Sequence, residues 1–306
     1  MTMIVGYAPD ERGKAGLHLA AMLARSADVD LVVGCVLPAP WVPGMARIDA
    51  EYREELDRTA DRALENARAA LPPGVPATFV RHGARSAPAG LLELAREHDA
   101  NLIVLGSSSQ GAFGHVALGS VTDRLVHSSP VSVALATRGF RTAPDARVTR
   151  VTAAYGGTSS AQQLVVAAAS VAADVGATMR IASLAVWSRP AYTTRLGTDS
   201  EDLVFEEWKG EVTEAARAAL SQVEGLATVP RDVEMVIGQG QSWGEALDDL
   251  PWHEGDVLVM GSSELGPVAQ VFLGSRATKI LRSSPVPVVV VPRSRAEELA
   301  GRATRT

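Results

Sequence analysis

The sequence predicts an α/β protein built from two tandem, doubly wound, parallel-sheet domains. Three observations carry that expectation. Nearly the same thirteen residues occur twice, as LGSVTDRLVHSSP from Leu118 and LGSRATKILRSSP from Leu273. Gly106 with Gly261, Gly119 with Gly274, and Pro130 with Pro285 are each 155 residues apart, which makes a repeat of the whole unit. Short Val/Ile/Leu-rich runs alternate with amphipathic helical stretches in the same order in both halves, the pattern of a parallel sheet with helices on its faces.

In the first half the strand-like runs are MIVGY (3–7), VDLVVGCVL (29–37), ATFVRH (77–82), NLIVLGS (101–107) and VSVALA (131–136). Between them, 12–26 places Ala15, Leu19, Met22 and Leu23 on one helical stripe, and 51–70 does the same with Leu56, Ala60, Ala63, Leu64 and Ala67. The second half repeats the strands at 147–155, 177–187, 232–238, 256–262 and 286–291. Tyr7 matches Tyr155 at 148 residues, so the second unit holds seven more residues, expected in a surface loop. Units of about 150 residues can each bury a core, and the expected boundaries are 1–140 and 148–306. The segment 137–150, rich in turn formers and charge, reads as the linker, and the polar tail 293–306 is expected to fray.

A net charge of −6 offers no basic field for nucleic acid. The single cysteine, Cys35, permits no intrachain disulfide and no cluster of thiol zinc ligands, which points to a reducing cytoplasm. Neither an export signal nor a membrane-spanning stretch is expected.

Ligands of doubly wound sheets gather at the carboxyl ends of the strands. The loops LGSSSQGAFGHVALGS and MGSSELGPVAQVFLGS follow the fourth strand of each half. Each leaves its strand at a glycine, Gly106 or Gly261, and opens a helix at Gly119-Ser120 or Gly274-Ser275. Free amides at such a helix start suit phosphate oxygens. The same residues also suit a plain turn followed by a serine cap, and spacing alone leaves both open.

The loops and the closing SSPVSVAL and SSPVPVVVV strands resemble the universal stress protein family, whose nucleotide-binding members carry GxxG, nine residues, then G[ST]. The resemblance implies strand order 3-2-1-4-5, with 131–135 pairing beside 286–290 across a pseudo-twofold axis. It implies a stress-response binding or regulatory protein holding ATP or another adenine nucleotide, an intrachain pseudo-dimer able to dimerise further. Carried over by position, Gly106, Ser107, Ser109, Gly119, Ser120 and Val121 would surround the phosphates in the first half, with Val36 at the adenine. Gly261, Gly274 and Ser275 would do so in the second half, where Val186 matches Val36. The second glycine of GxxG is replaced by Ser109 and by Glu264, and the family's acidic base contact by Ala8 and by Gly156. A carboxylate about 4 Å from one phosphate charge costs roughly 1 kcal/mol in water and about 4 kcal/mol at an effective dielectric near 20. Glu264 therefore disfavours the second site, and the first half is the better candidate.

Other signals weigh less. GQGQSWG (238–244) has GxGxxxG spacing, and Arg85 stands where its counterpart would need the glycine at Gly240, against a dinucleotide fingerprint. YGGTSS resembles the loop of ATP pyrophosphatases, with Ser159 where that pattern has Asp. No HExxH occurs, neither GSSSQG nor GSSEL is a GxSxG elbow, and no Walker A lysine follows a glycine-rich loop. His115 lies in the phosphate loop as either an anion partner or a solvated residue, and Trp41, Trp187, Trp208, Trp243 and Trp252 read as packing. The expectation is an adenine-nucleotide sensor without catalysis, metal or membrane contact. The alternatives are a scaffold acting through protein contacts and, behind it, an ATP-hydrolysing or adenylating enzyme.

Overall fold

Runs of β-branched residues with no charge between them can sit only where both faces are covered, and Ile4, Val5, Ile103, Val104 and Val133 are fully buried. The computed structural model describes residues 2–38, 46–156, 158–187, 228–262 and 273–304, with 207, 210, 211, 213, 214, 217, 218 and 220–226. The first half runs β1 (Thr2–Gly6), α1 (Glu11–Ala27), β2 (Asp30–Pro38), α2 (Ala46–Ala70), β3 (Ala77–Ala84), α3 (Ala87–Glu97), β4 (Leu102–Leu105), α4 (Ser120–Ser128), β5 (Ser132–Leu135). The second runs β6 (Arg150–Ala154), α5 (Ser159–Asp174), β7 (Thr178–Val186), β8 (Val233–Gly240), α6 (Trp243–Asp248), β9 (Asp256–Gly261), α7 (Ser275–Ser283), β10 (Val288–Val291), α8 (Arg293–Ala303).

All ten strands join one sheet in the order β3-β2-β1-β4-β5-β10-β9-β6-β7-β8. Every pair is parallel except β5 with β10, where Ala134 faces Val289 in antiparallel register. The expected order appears in each half, and the two halves share their fifth strands. That pairing covers the β5 and β10 edges that each half alone would expose and leaves β3 and β8 as the edges of the joint sheet.

Two expectations about irregular chain need correction. As far as Thr304 the tail is not frayed: α8 packs on α5 with Ala296 and Ala300 buried. Its sequence looks polar because its buried face is made of small alanines, which carry little hydrophobic signal. Ala300→Asp is expected to lower stability by roughly 1–3 kcal/mol, read by thermal denaturation, because it places an unpaired carboxyl against that packing. The linker 137–150 does join the halves, but it is packed, and its last residue needs reassigning. Val148 is buried with its amide on Ser26 Oγ at 2.7 Å, Arg141 pairs with Glu11 at 2.7 Å, and Arg150 already belongs to β6. The described tryptophans divide in role. Trp252 donates to the Leu247 carbonyl at 2.7 Å, whereas Trp187 is 37% exposed; Trp41 and Trp208 lie outside the described residues.

Candidate functional site

In the first half the strand order reverses between β1 and β4, and a cavity of about 300 Å³ opens at their carboxyl ends. Its floor is low because Gly6 and Gly34 lie there without side chains, and Tyr7, Val36 and Leu91 form its apolar sides. One wall is the start of α4. Its N-cap, Gly119, is extended (φ −98°, ψ 178°) and has no side chain to cap the first turn. Thr122 Oγ1 accepts from the Gly119 amide at 2.6 Å and donates to the Gly119 carbonyl at 2.9 Å. The amides of Ser120 and Val121 are left for a ligand, at the positive end of the helix.

The loop before α4 is held shut from behind. Ser107 is buried, its Oγ donating to the Ala136 carbonyl at 2.6 Å and accepting from the Ala117 amide at 2.9 Å. It therefore braces the loop and does not line the cavity. Ser109 is exposed and also outside the lining, where Ser108 stands instead. His115 is turned away, with Nδ1 3.2 Å from the Ser283 carbonyl of the second half, and is not the anion partner the loop position suggested.

At the mouth, Ala8 leaves the acidic position empty of charge. The nearest acid, Asp10, is spent on α1: it accepts from the amides of Arg12 at 2.9 Å and Gly13 at 3.2 Å and from Arg12 Nε at 2.7 Å. Burial pushes its carboxyl up, but the Arg12 side chain and these amides outweigh that and hold it below its ordinary value. Arg12 lines the cavity as its cation, with a half-exposed side chain. Gly106 has a steric reason of its own, since a Cβ there would lie 1.8 Å from the Arg12 carbonyl. Helix α1 presses on the exit of β4.

The second half carries a cavity of about 600 Å³ at the matching place, between Tyr155, Thr158, Gly261 and the start of α7. Here a Cβ on Gly261 would meet, among the described residues, nothing closer than Leu164 at 3.6 Å, an ordinary contact where Gly106 has a clash. Gly274 caps α7 as Gly119 caps α4, but neither Gly274 nor Ser275 lines this cavity, and Val186 does not either. Glu264 lies outside the described residues. The cation has moved. Arg12 corresponds to Ser160 at the 148-residue offset and Val121 to Arg276 at the 155-residue offset, and all four line their cavities. Arg276 is exposed and makes no ion pair among the described residues, while Arg293, also in the lining, pairs with Glu297 at 3.0 Å.

A model of the universal stress protein family matches residues 1–137 and again 147–292. The chain belongs to the universal stress protein family. Full-length relatives agree: Universal stress protein Rv2319c of Mycobacterium tuberculosis is 37% identical over 296 residues, covering 95% of this chain and all of that one. Among solved structures, a universal stress protein from Archaeoglobus fulgidus superposes with a TM-score of 0.56 at 21% identity, over 95% of this chain and 98% of its own. The protein PA1789 from Pseudomonas aeruginosa gives the same TM-score at 15% identity, over 100% and 97%. These two likenesses show the fold.

In this universal stress protein the structure brings together Val36, Gly106, Gly119, Ser120 and Val121 around the first cavity and Gly261 at the second. It sets Ser107, Ser109, Gly274 and Ser275 outside them. The residues that sequence reasoning missed are Arg12, Arg276 and Ser108. Arg12 had one signal, its place two residues into a helix that follows the first strand, but nothing local says that its side chain turns to the cavity. Among the described residues no helix is long and apolar enough to cross a membrane.

Proposed function

We propose that this stress-response protein is an adenine-nucleotide-responsive binding module that acts in the cytoplasm and engages ATP, or a related nucleotide, through the first-half cavity. The observation that carries the reading is the glycine-capped start of α4, whose Ser120 and Val121 amides open onto a cavity at the strand-order reversal with Arg12 at its mouth. Apolar sides at Val36 and Leu91 suit a base, and the bare amides and the guanidinium suit phosphates. A net charge of −6 disfavours nucleic acid as the partner.

Isothermal titration with ATP, ADP, AMP and a cyclic nucleotide tests this. Saturable binding at one site per chain is expected, weakened more than tenfold by Gly119→Val. A Cβ at Gly119 would fit, with Ser108 Cβ at 3.5 Å and ordinary backbone angles, so the valine branches would fill the cavity without straining the fold. A single site lost in Arg276→Ala and kept in Gly119→Val would reverse the ranking of the halves. Silence at millimolar nucleotide would favour a scaffold acting through protein contacts, the reading supported by Ala8 where a base contact would need an acid.

A further inference from the structure

We propose that a third cavity, between the two halves and separated from the second-half site by the shared Leu164, binds a linear acyl carboxylate of about twelve carbons. The cavity measures about 320 Å³ and is overwhelmingly apolar, with Val257, Val259 and Val289 of the sheet beneath, Leu23 of α1 on one side and Ala168 of α5 on the other. It exists because the halves end differently. After β10 the chain folds into α8 against α5, whereas after β5 it continues as the irregular segment 137–149, of which only Val148 reaches the cavity. The central strands are thus roofed by an extra helix on one side alone.

Size and charge choose the occupant. A dry cavity of about 150 Å³ takes six carbons as benzene, so about twice that volume suits some twelve. One cation lines this apolar space, Arg295 in the first turn of α8, with a side chain only 17% exposed. Glu298 takes one of its donors, Nη1 at 2.6 Å, and the rest of the guanidinium has no partner among the described residues. The one acid in the lining, Asp174, closes α5. Ala296 packs with Leu164 near the other end of α5, which sets Arg295 and Asp174 about 15 Å apart along that helix. A carboxylate belongs at the Arg295 end and a methyl terminus short of Asp174. Val171, 39% exposed, stands at the rim as an apolar entrance.

The test titrates the full chain with dodecanoate, dodecanol and dodecylamine below their micelle concentrations. Dodecanoate is expected to saturate at one per chain, at least tenfold tighter than dodecylamine. Arg295→Met should weaken dodecanoate ten- to hundredfold and leave dodecanol unchanged. Val171→Trp, at an exposed position, should block both ligands with an unchanged melting curve. Gly119→Val should leave dodecanoate binding intact, which separates this site from the nucleotide cavity. Absence of saturable dodecanoate binding, equal affinity for dodecylamine, or full binding by Val171→Trp would each overturn the proposal.

Discussion

Arg150→Met is expected to destabilise the protein by about 3–5 kcal/mol, because it strands a buried carboxylate. The Asp256 side chain is 1% exposed and opens β9. Arg150 Nε donates to its Oδ1 at 3.1 Å, and the His253 amide donates to its Oδ2 at 2.9 Å. With the guanidinium gone, one backbone amide is the main compensation left for that charge. Arg150 also reaches Glu234 at 3.2 Å and the Pro251 carbonyl at 2.8 Å, so it knots β6, β8 and β9 at the ends opposite the two carboxyl-end cavities. The neighbouring Arg180→Met should cost much less, although Arg180 is fully buried. Its partner Glu234, at 2.6 Å, is 43% exposed and keeps both water and Arg150, and Arg180 Nη2 is already without a hydrogen bond. Chemical denaturation of both variants, followed by far-UV circular dichroism, decides this. Adding Asp256→Asn to Arg150→Met should recover part of the loss, since the stranded charge disappears. Equal midpoints for the two single variants would contradict the account.

Gly106→Ala is expected to cost about 3 kcal/mol or more, whereas Gly261→Ala, its counterpart, should be nearly silent. The methyl at position 106 would meet the Arg12 carbonyl at 1.8 Å, and the obstacle is backbone in the first turn of α1, which cannot swing aside as a side-chain tip can. Relief requires α1 to move off the exit of β4, and Gly16, where an added Cβ would lie 3.0 Å from the Gly106 amide nitrogen, moves with it. Because Arg12 sits on that turn, the same displacement should weaken the proposed nucleotide binding in any Gly106→Ala protein that still folds. At Gly261 the nearest atom an added Cβ would meet among the described residues is 3.6 Å away, an ordinary contact. Denaturation midpoints for the two variants form the check, and a comparable loss at both positions would show that the glycines share one role after all.

The opposite outcomes expected for two glycines at one repeat position show where sequence reasoning stops. Motif spacing pairs Gly106 with Gly261 and offers a single explanation for both. The distance from each to its facing helix depends on how α1 and α5 dock, and no residue near either glycine records it. The two cations behave likewise. Arg12 and Arg276 occupy non-equivalent places in the repeat, so comparing the halves position by position finds neither, yet each faces its cavity. Ser107 was legible as part of a phosphate loop but not as its brace, since its acceptor Ala136 lies beyond the next helix.

By itself the sequence determined the tandem repeat, the strand runs and the family to which both halves belong. Those follow from local patterning: β-branched runs buried on both faces, helical stripes, and glycines at fixed intervals. Only the tertiary structure decided that the tail is a packed helix, that Asp10 is consumed by its own cap, and that an apolar cavity lies between the halves. Each of these depends on contacts between segments far apart in the chain, and such distances are set by packing in three dimensions, to which the order of residues along one segment is blind.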